Sequence, residues 1–102
     1  MKSYTGARTM DGIRVLVDGK PLDERYDLMR FTAGGFEWTY EGAAPSQLAL
    51  ALLADHLADD QKALELTEPF MRHVIANLEN YWTLTGDDID QAITQIESNK
   101  GD

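Results

Sequence analysis

A chain of 102 residues with 43% hydrophobic side chains is the size of one globular domain and leaves no room for a second core. It has no cysteine, which excludes disulfides and thiolate metal sites. Its net charge of −9 is unevenly spread, with six basic against five acidic side chains up to residue 30 and three against thirteen after it. Such a field repels nucleic acid and anionic membranes and attracts basic surfaces.

The opening MKSYTGARTMDG has no apolar run that would serve as a signal peptide, and Leu48–Ala54 is too short to span a bilayer. A cytoplasmic location, in a bacterium or an infected host cell, is the expectation. Ser3–Thr5 is a short candidate strand. Gly12–Val17 alternates Ile13, Val15 and Val17 against Arg14 and Leu16, as a strand with one buried face does. Asp18-Gly19 is a hairpin turn, and Lys20–Leu22 is a short return strand in which Pro21 suits a sheet edge. Tyr26–Phe31 reads equally as strand or helical turn.

Gly34-Gly35 breaks the chain before Phe36–Tyr40, where Phe36, Trp38 and Tyr40 alternate with Glu37 and Thr39. This is the clearest strand pattern in the sequence. Its aromatic face is flanked by Glu37 and Glu41, so it is expected to pack into the core and not to stack on bases.

A helix is expected from Pro45, a residue suited to a first helical position. Leu48, Ala49, Leu52, Leu53, His56 and Leu57 form its apolar arc. Asp59-Asp60 ends that pattern. Ala63–Leu66 is expected to add one or two turns before Pro69, with Thr67 capping a fresh helix. Phe70, Met71, Val74, Ile75 and Leu78 make that helix's buried stripe, and Asn80–Trp82 reads as a connection. Thr85 opens the last helix, and Asp88 three residues on forms a capping box. Ile89, Ala92, Ile93 and Ile96 give its apolar face, and residues 98–102 are expected to fray. The chain is therefore expected to be a single α+β domain over 1–102, β-rich over 1–41 and helical over 45–97. A small antiparallel sheet of three or four strands would pack against two or three helices.

The run Gly35-Phe36-Glu37-Trp38-Thr39-Tyr40, followed by Pro45-Ser46-Gln47-Leu48-Ala49-Leu50-Ala51-Leu52-Leu53, resembles a family of small bacterial, plasmid and phage proteins classed as a domain of unknown function. Trp82-Thr83-Leu84-Thr85 before an acidic helix start is also similar to its members. The resemblance covers residues 34–95. Thr39, Glu41, Ala43 and Ala44 stand where members often have Gly. No activity transfers with the resemblance, which implies only that a mobile genetic element is a natural home.

No catalytic constellation is legible, and no cofactor or metal is expected. His56 lies in an apolar arc, with Asp55 pointing away and Asp59 about 60° round the helix, so it reads as a hydrogen-bonded core histidine more readily than a general base. His73 is expected to face solvent, and no histidine pair has the i, i+4 spacing of a zinc site. Asp87, Asp88 and Asp90 read as helix-start acids, not a calcium loop. What remains is the acidic surface of Glu41, Asp55, Asp59, Asp60, Glu65, Asp87, Asp88 and Asp90. The leading expectation is a non-enzymatic binding protein that occupies a basic nucleic-acid site on another protein or complex, in the manner of an anti-CRISPR inhibitor. The alternative is an interaction module or homodimer acting through an apolar patch, with Met10, Met29, Phe31, Tyr81 and Trp82 as the residues to suspect of exposure. Least favoured is a small enzyme using His56.

Overall fold

A computed structural model describes residues 2–100. Within them the chain forms strands β1 (Ser3–Thr9), β2 (Gly12–Val17) and β3 (Lys20–Pro21), then helices α1 (Ala43–Leu57) and α2 (Asp60–His73). A single 3-10 turn, Ile75–Asn77, leads into β4 (Tyr81–Thr85) and α3 (Gly86–Lys100). The sheet is antiparallel in the order β3-β2-β1-β4, giving the α+β architecture that the sequence pattern implies.

The β2–β3 turn is built as its residues require. Asp18 and Gly19 both adopt positive φ (49° and 83°), the conformation a two-residue hairpin loop demands. On the inward face of the sheet Tyr4, Val15 and Trp82 are buried. Gly6 pairs with Trp82, whose indole lies across it so closely that a Cβ there would sit 2.2 Å from the ring. Trp38 meets Trp82 edge to face at 5.7 Å, and the Arg8 guanidinium stacks 4.7 Å over Trp38.

α1 is the centre of the molecule. Every residue from Gln47 to Ala54 is buried, so its apolar arc is in fact a whole circumference. It begins two residues before Pro45, which takes the third helical position, still within the first turn, whose N–H groups have no intrahelical acceptor.

Four expectations are corrected. Phe36–Tyr40 is not a strand. Thr39 takes φ 86°, which turns the chain, and its N–H and hydroxyl bond to the carbonyls of Ile75 and Leu78 instead of a sheet neighbour. Asn80–Trp82 is not a connection, because Tyr81–Thr85 occupies the ladder position beside β1. Thr67 caps nothing: α2 runs unbroken through Pro69, and the buried Thr67 hydroxyl donates back to Ala63 O at 2.8 Å. Packing of Ala63, Leu66, Phe70 and Met71 offsets the backbone bond that Pro69 cannot make. Finally, α3 continues past Glu97 through Lys100, while residues 101–102 of the expected tail lie outside the described residues. The capping box of α3 is present in full, with Asp88 N–H bonded to Thr85 Oγ1 (3.2 Å) and Thr85 N–H to Asp88 Oδ2 (3.0 Å).

Candidate functional site

Two concave surfaces stand out. The larger is a groove of about 690 Å³ between the start of α1, the middle of α2 and the loop that carries Met29 and Phe31. Leu64, Met71, Met29 and Phe31 make it apolar, and Met29 and Phe31 are 47% and 37% exposed. Glu41, Glu68 and Arg72 lie on its polar rim, where Arg72 NH2 is 2.8 Å from Glu68 and Arg72 Nε is 3.7 Å from Glu41. These partners are exposed, so the ion pairs add little stability and can be displaced.

The loop is held by one buried side chain. Gln47 projects from α1 with no solvent exposure. Its Oε1 accepts from Phe31 N–H at 2.8 Å, and its Nε2 donates to Glu24 O (2.7 Å) and Met29 O (3.0 Å). Three backbone groups of an irregular segment thereby find in a helix side chain the partners that no strand ladder or helical backbone supplies. Gln47 thus sets where Met29 and Phe31 stand. It was not singled out from sequence, although a lone amide inside the run Leu48–Ala54 and its approach was a signal that could have found it.

The second surface, about 460 Å³, lies where the end of α1 meets the start of α3 and is lined by Lys2, Asp55, His56, Asp87 and Asp90. Asp55 Oδ2 accepts from Tyr4 Oη (2.7 Å) and Lys2 Nζ (3.1 Å). Burial first, and then the bond to Asp55, push the Tyr4 hydroxyl well above the usual tyrosine range. His56 Nε2 lies 2.6 Å from Asp90 Oδ1. The histidine is thus hydrogen-bonded, as its place in the apolar arc suggests, but its carboxylate comes from another helix, 34 residues away. No group of three or more His, Cys, Asp or Glu side chains that could hold a metal occurs among the described residues.

The expected acidic surface is dispersed and largely engaged. Glu41 borders the first groove, while Asp55, Asp87 and Asp90 line the second. Asp59 caps α2 by accepting from Lys62 N–H, and Asp60 pairs with Arg25 at 3.3 Å. Asp88 is spent in the capping box, and Glu65 accepts from Gln61. Asp87 alone of the eight has a carboxylate with neither a hydrogen bond nor an ion pair among the described residues. Of the residues suspected of apolar exposure, Met10, Met29, Phe31 and Tyr81 are exposed, whereas Trp82 is 8% exposed and belongs to the core. Among the described residues no helix is long and apolar enough to cross a membrane.

A model described as a family of unknown function (DUF6166) matches residues 4–95, taking in the three N-terminal strands as well as the stretch from 34 onward. No curated protein and no solved structure matches the chain. The family match spans all of the sheet but Ser3 and nearly all of the helical layer, and the chain belongs to this family of unknown function, DUF6166.

Proposed function

We propose that this domain is a non-enzymatic protein-binding module whose groove between α1, α2 and the Met29–Phe31 loop receives an apolar segment of a partner. The observation that carries the reading is the pairing of exposed Met29 and Phe31 with a preformed concavity, held in place by the buried Gln47. Apolar walls with a few polar groups at the rim are what a side-chain-accepting site needs, and methionine adapts to the shape of what enters. The rim sets two carboxylates, Glu41 and Glu68, against the single Arg72, and this excess on a chain of net charge −9 favours a partner that is basic around its apolar anchor. A photoreactive amino acid placed at Met29 is expected to cross-link a discrete partner protein in cells. The same group at Thr94, on exposed α3 surface, is expected to give none. Equal labelling from both positions would contradict the reading.

A second reading keeps the acidic surface as a mimic of phosphates that fills a basic nucleic-acid site in a host complex, as an anti-CRISPR-like inhibitor from a mobile element would. Its support is the excess of thirteen acidic over three basic side chains beyond residue 30, with Asp87 exposed beside Asp90. Against it stands the internal engagement of most of these carboxylates. An acid that already caps a helix or pairs with arginine is a weaker phosphate surrogate than a free one.

A further inference from the structure

The four-stranded sheet has two edges, and they are finished differently. At one, β3 is two residues long, ends in Pro21 and carries Lys20. Shortness, a charge and a missing donor are the devices that keep a sheet from adding strands. At the other edge, β4 reads Tyr-Trp-Thr-Leu-Thr over Tyr81–Thr85, with no charge and no proline.

The ladder register identifies which β4 groups are open. Arg8 N–H bonds to Asn80 O, Gly86 N–H bonds to Lys2 O, and Trp82 and Leu84 pair with Gly6 and Tyr4 between them. Successive residues of an antiparallel strand direct their backbone groups to opposite sides. Residues 80, 82, 84 and 86 therefore turn toward β1, and Tyr81, Thr83 and Thr85 turn outward. Thr85 N–H is taken by Asp88. The N–H and C=O groups of Tyr81 and Thr83 have no hydrogen-bond partner among the described residues, and both side chains are exposed, Tyr81 by 69%. These two residues present two donors and two acceptors at strand spacing.

We infer that the β4 edge is a docking site for an extended segment of another protein, flanked by basic residues, which joins the sheet as a fifth strand through the backbone groups of Tyr81 and Thr83. The inference is independent of the groove. Charge selects the occupant. Glu79 precedes the edge and Asp87 follows it, both exposed and without an ion-pair partner among the described residues. A second copy added antiparallel would bring Glu79 of one chain toward Asp87 of the other, with a charge of −9 on each. A segment with arginine or lysine at both ends inverts that repulsion. Between its ends, β-branched residues suit a neighbour such as Thr83.

The test is an amide-resolved NMR titration of the full chain with a capped hexapeptide carrying arginine at both ends and alternating valine and threonine between. Its glutamate-ended counterpart is the control. The arginine peptide is expected to shift the Tyr81 and Thr83 amides and slow their hydrogen exchange, and to bind about tenfold more tightly than the control at low salt. Thr83→Pro removes an outward donor while leaving the β1 ladder intact, and is expected to abolish the effect. Thr83→Lys, which keeps the donor but sets a like charge on the edge, decides the matter if the proline variant does not fold, and is expected to weaken binding. Three results overturn the inference: no shift at Tyr81 and Thr83, equal binding of both peptides, or exchange at these amides that slows with concentration of the free protein, which would put a second copy on the edge.

Discussion

Gly6 is a residue whose side chain is excluded by its cross-strand neighbour, not by its backbone. Trp82 fills the space where a Cβ would go, with indole atoms 2.2 Å from that position. Gly6→Ala is expected to destabilise the fold by about 1–3 kcal/mol in denaturant unfolding, the range of overpacked cores. Shrinking Trp82 to Leu in the same chain should recover part of that loss, so the two changes are non-additive by about 1 kcal/mol or more. The Trp82 ring N–H is buried with no partner among the described residues, so replacing the indole also removes an unsatisfied donor.

Tyr4 makes a pH-dependent prediction at the same scale. Its hydroxyl is held above the ordinary value of 10.0, which the unfolded chain keeps. A raised pKa means that the unfolded state loses its proton first as pH rises. The contribution is therefore complete below about pH 10 and is lost progressively above it, at up to about 1.4 kcal/mol per pH unit. Unfolding free energies measured from pH 8 to 11 should fall more steeply for the native chain than for Tyr4→Phe. Parallel curves would remove Tyr4 from the account.

Among the elements, the irregular segment between β3 and α1 depends on a helix for its hydrogen bonds. Replacing Gln47 by Leu leaves Phe31 N–H and the carbonyls of Glu24 and Met29 without protein partners, at a cost of about 2–3 kcal/mol. Hydrogen exchange should quicken over residues 24–34 before it quickens in β1 or α2. A uniform rise across the chain would mean that Gln47 is only a packing residue.

Helices and hairpins were legible where local chemistry decides them. The Asp18-Gly19 turn and the Thr85/Asp88 box stand where the sequence pattern puts them. Elements decided by distant partners were not. Phe36–Tyr40 has the alternation of a strand, but Thr39 turns it and Trp38 anchors it through Nε1 to Glu79 O at 2.7 Å. Tyr81–Thr85 carries β-branched and aromatic residues in only five positions and becomes a strand because β1 needs a neighbour. Pro69 signals a break, yet α1 offers α2 enough buried surface to continue through it. The same division applies to the site. Met29 and Phe31 were visible as apolar residues to suspect of exposure, whereas the Gln47 bonds that fix them, and the approach of Asp90 to His56, join positions 16 to 34 residues apart.

For the molecule as a whole, charge and apolar shape compete as the basis of recognition. Net charge acts over distance and sets the rate of encounter with a basic partner, while a buried apolar anchor sets how long the complex lasts. Lys2, Arg25 and Arg72 hold Asp55, Asp60 and Glu41 of the acidic surface. This internal pairing lowers the charge available to a partner and leaves the groove as the feature with most to gain from contact.

The most direct measurement is affinity capture from host-cell extract at low and high salt, read by mass spectrometry, with three baits: the native chain, Met29→Asp in the groove, and Asp87→Lys/Asp90→Lys on the acidic cleft. The account predicts a partner that the native chain and the double variant both retain at high salt and that Met29→Asp loses at either salt, provided all three baits keep the native circular dichroism spectrum. A partner released by salt from the native chain, lost by Asp87→Lys/Asp90→Lys and still bound by Met29→Asp would contradict it and assign recognition to the acidic surface.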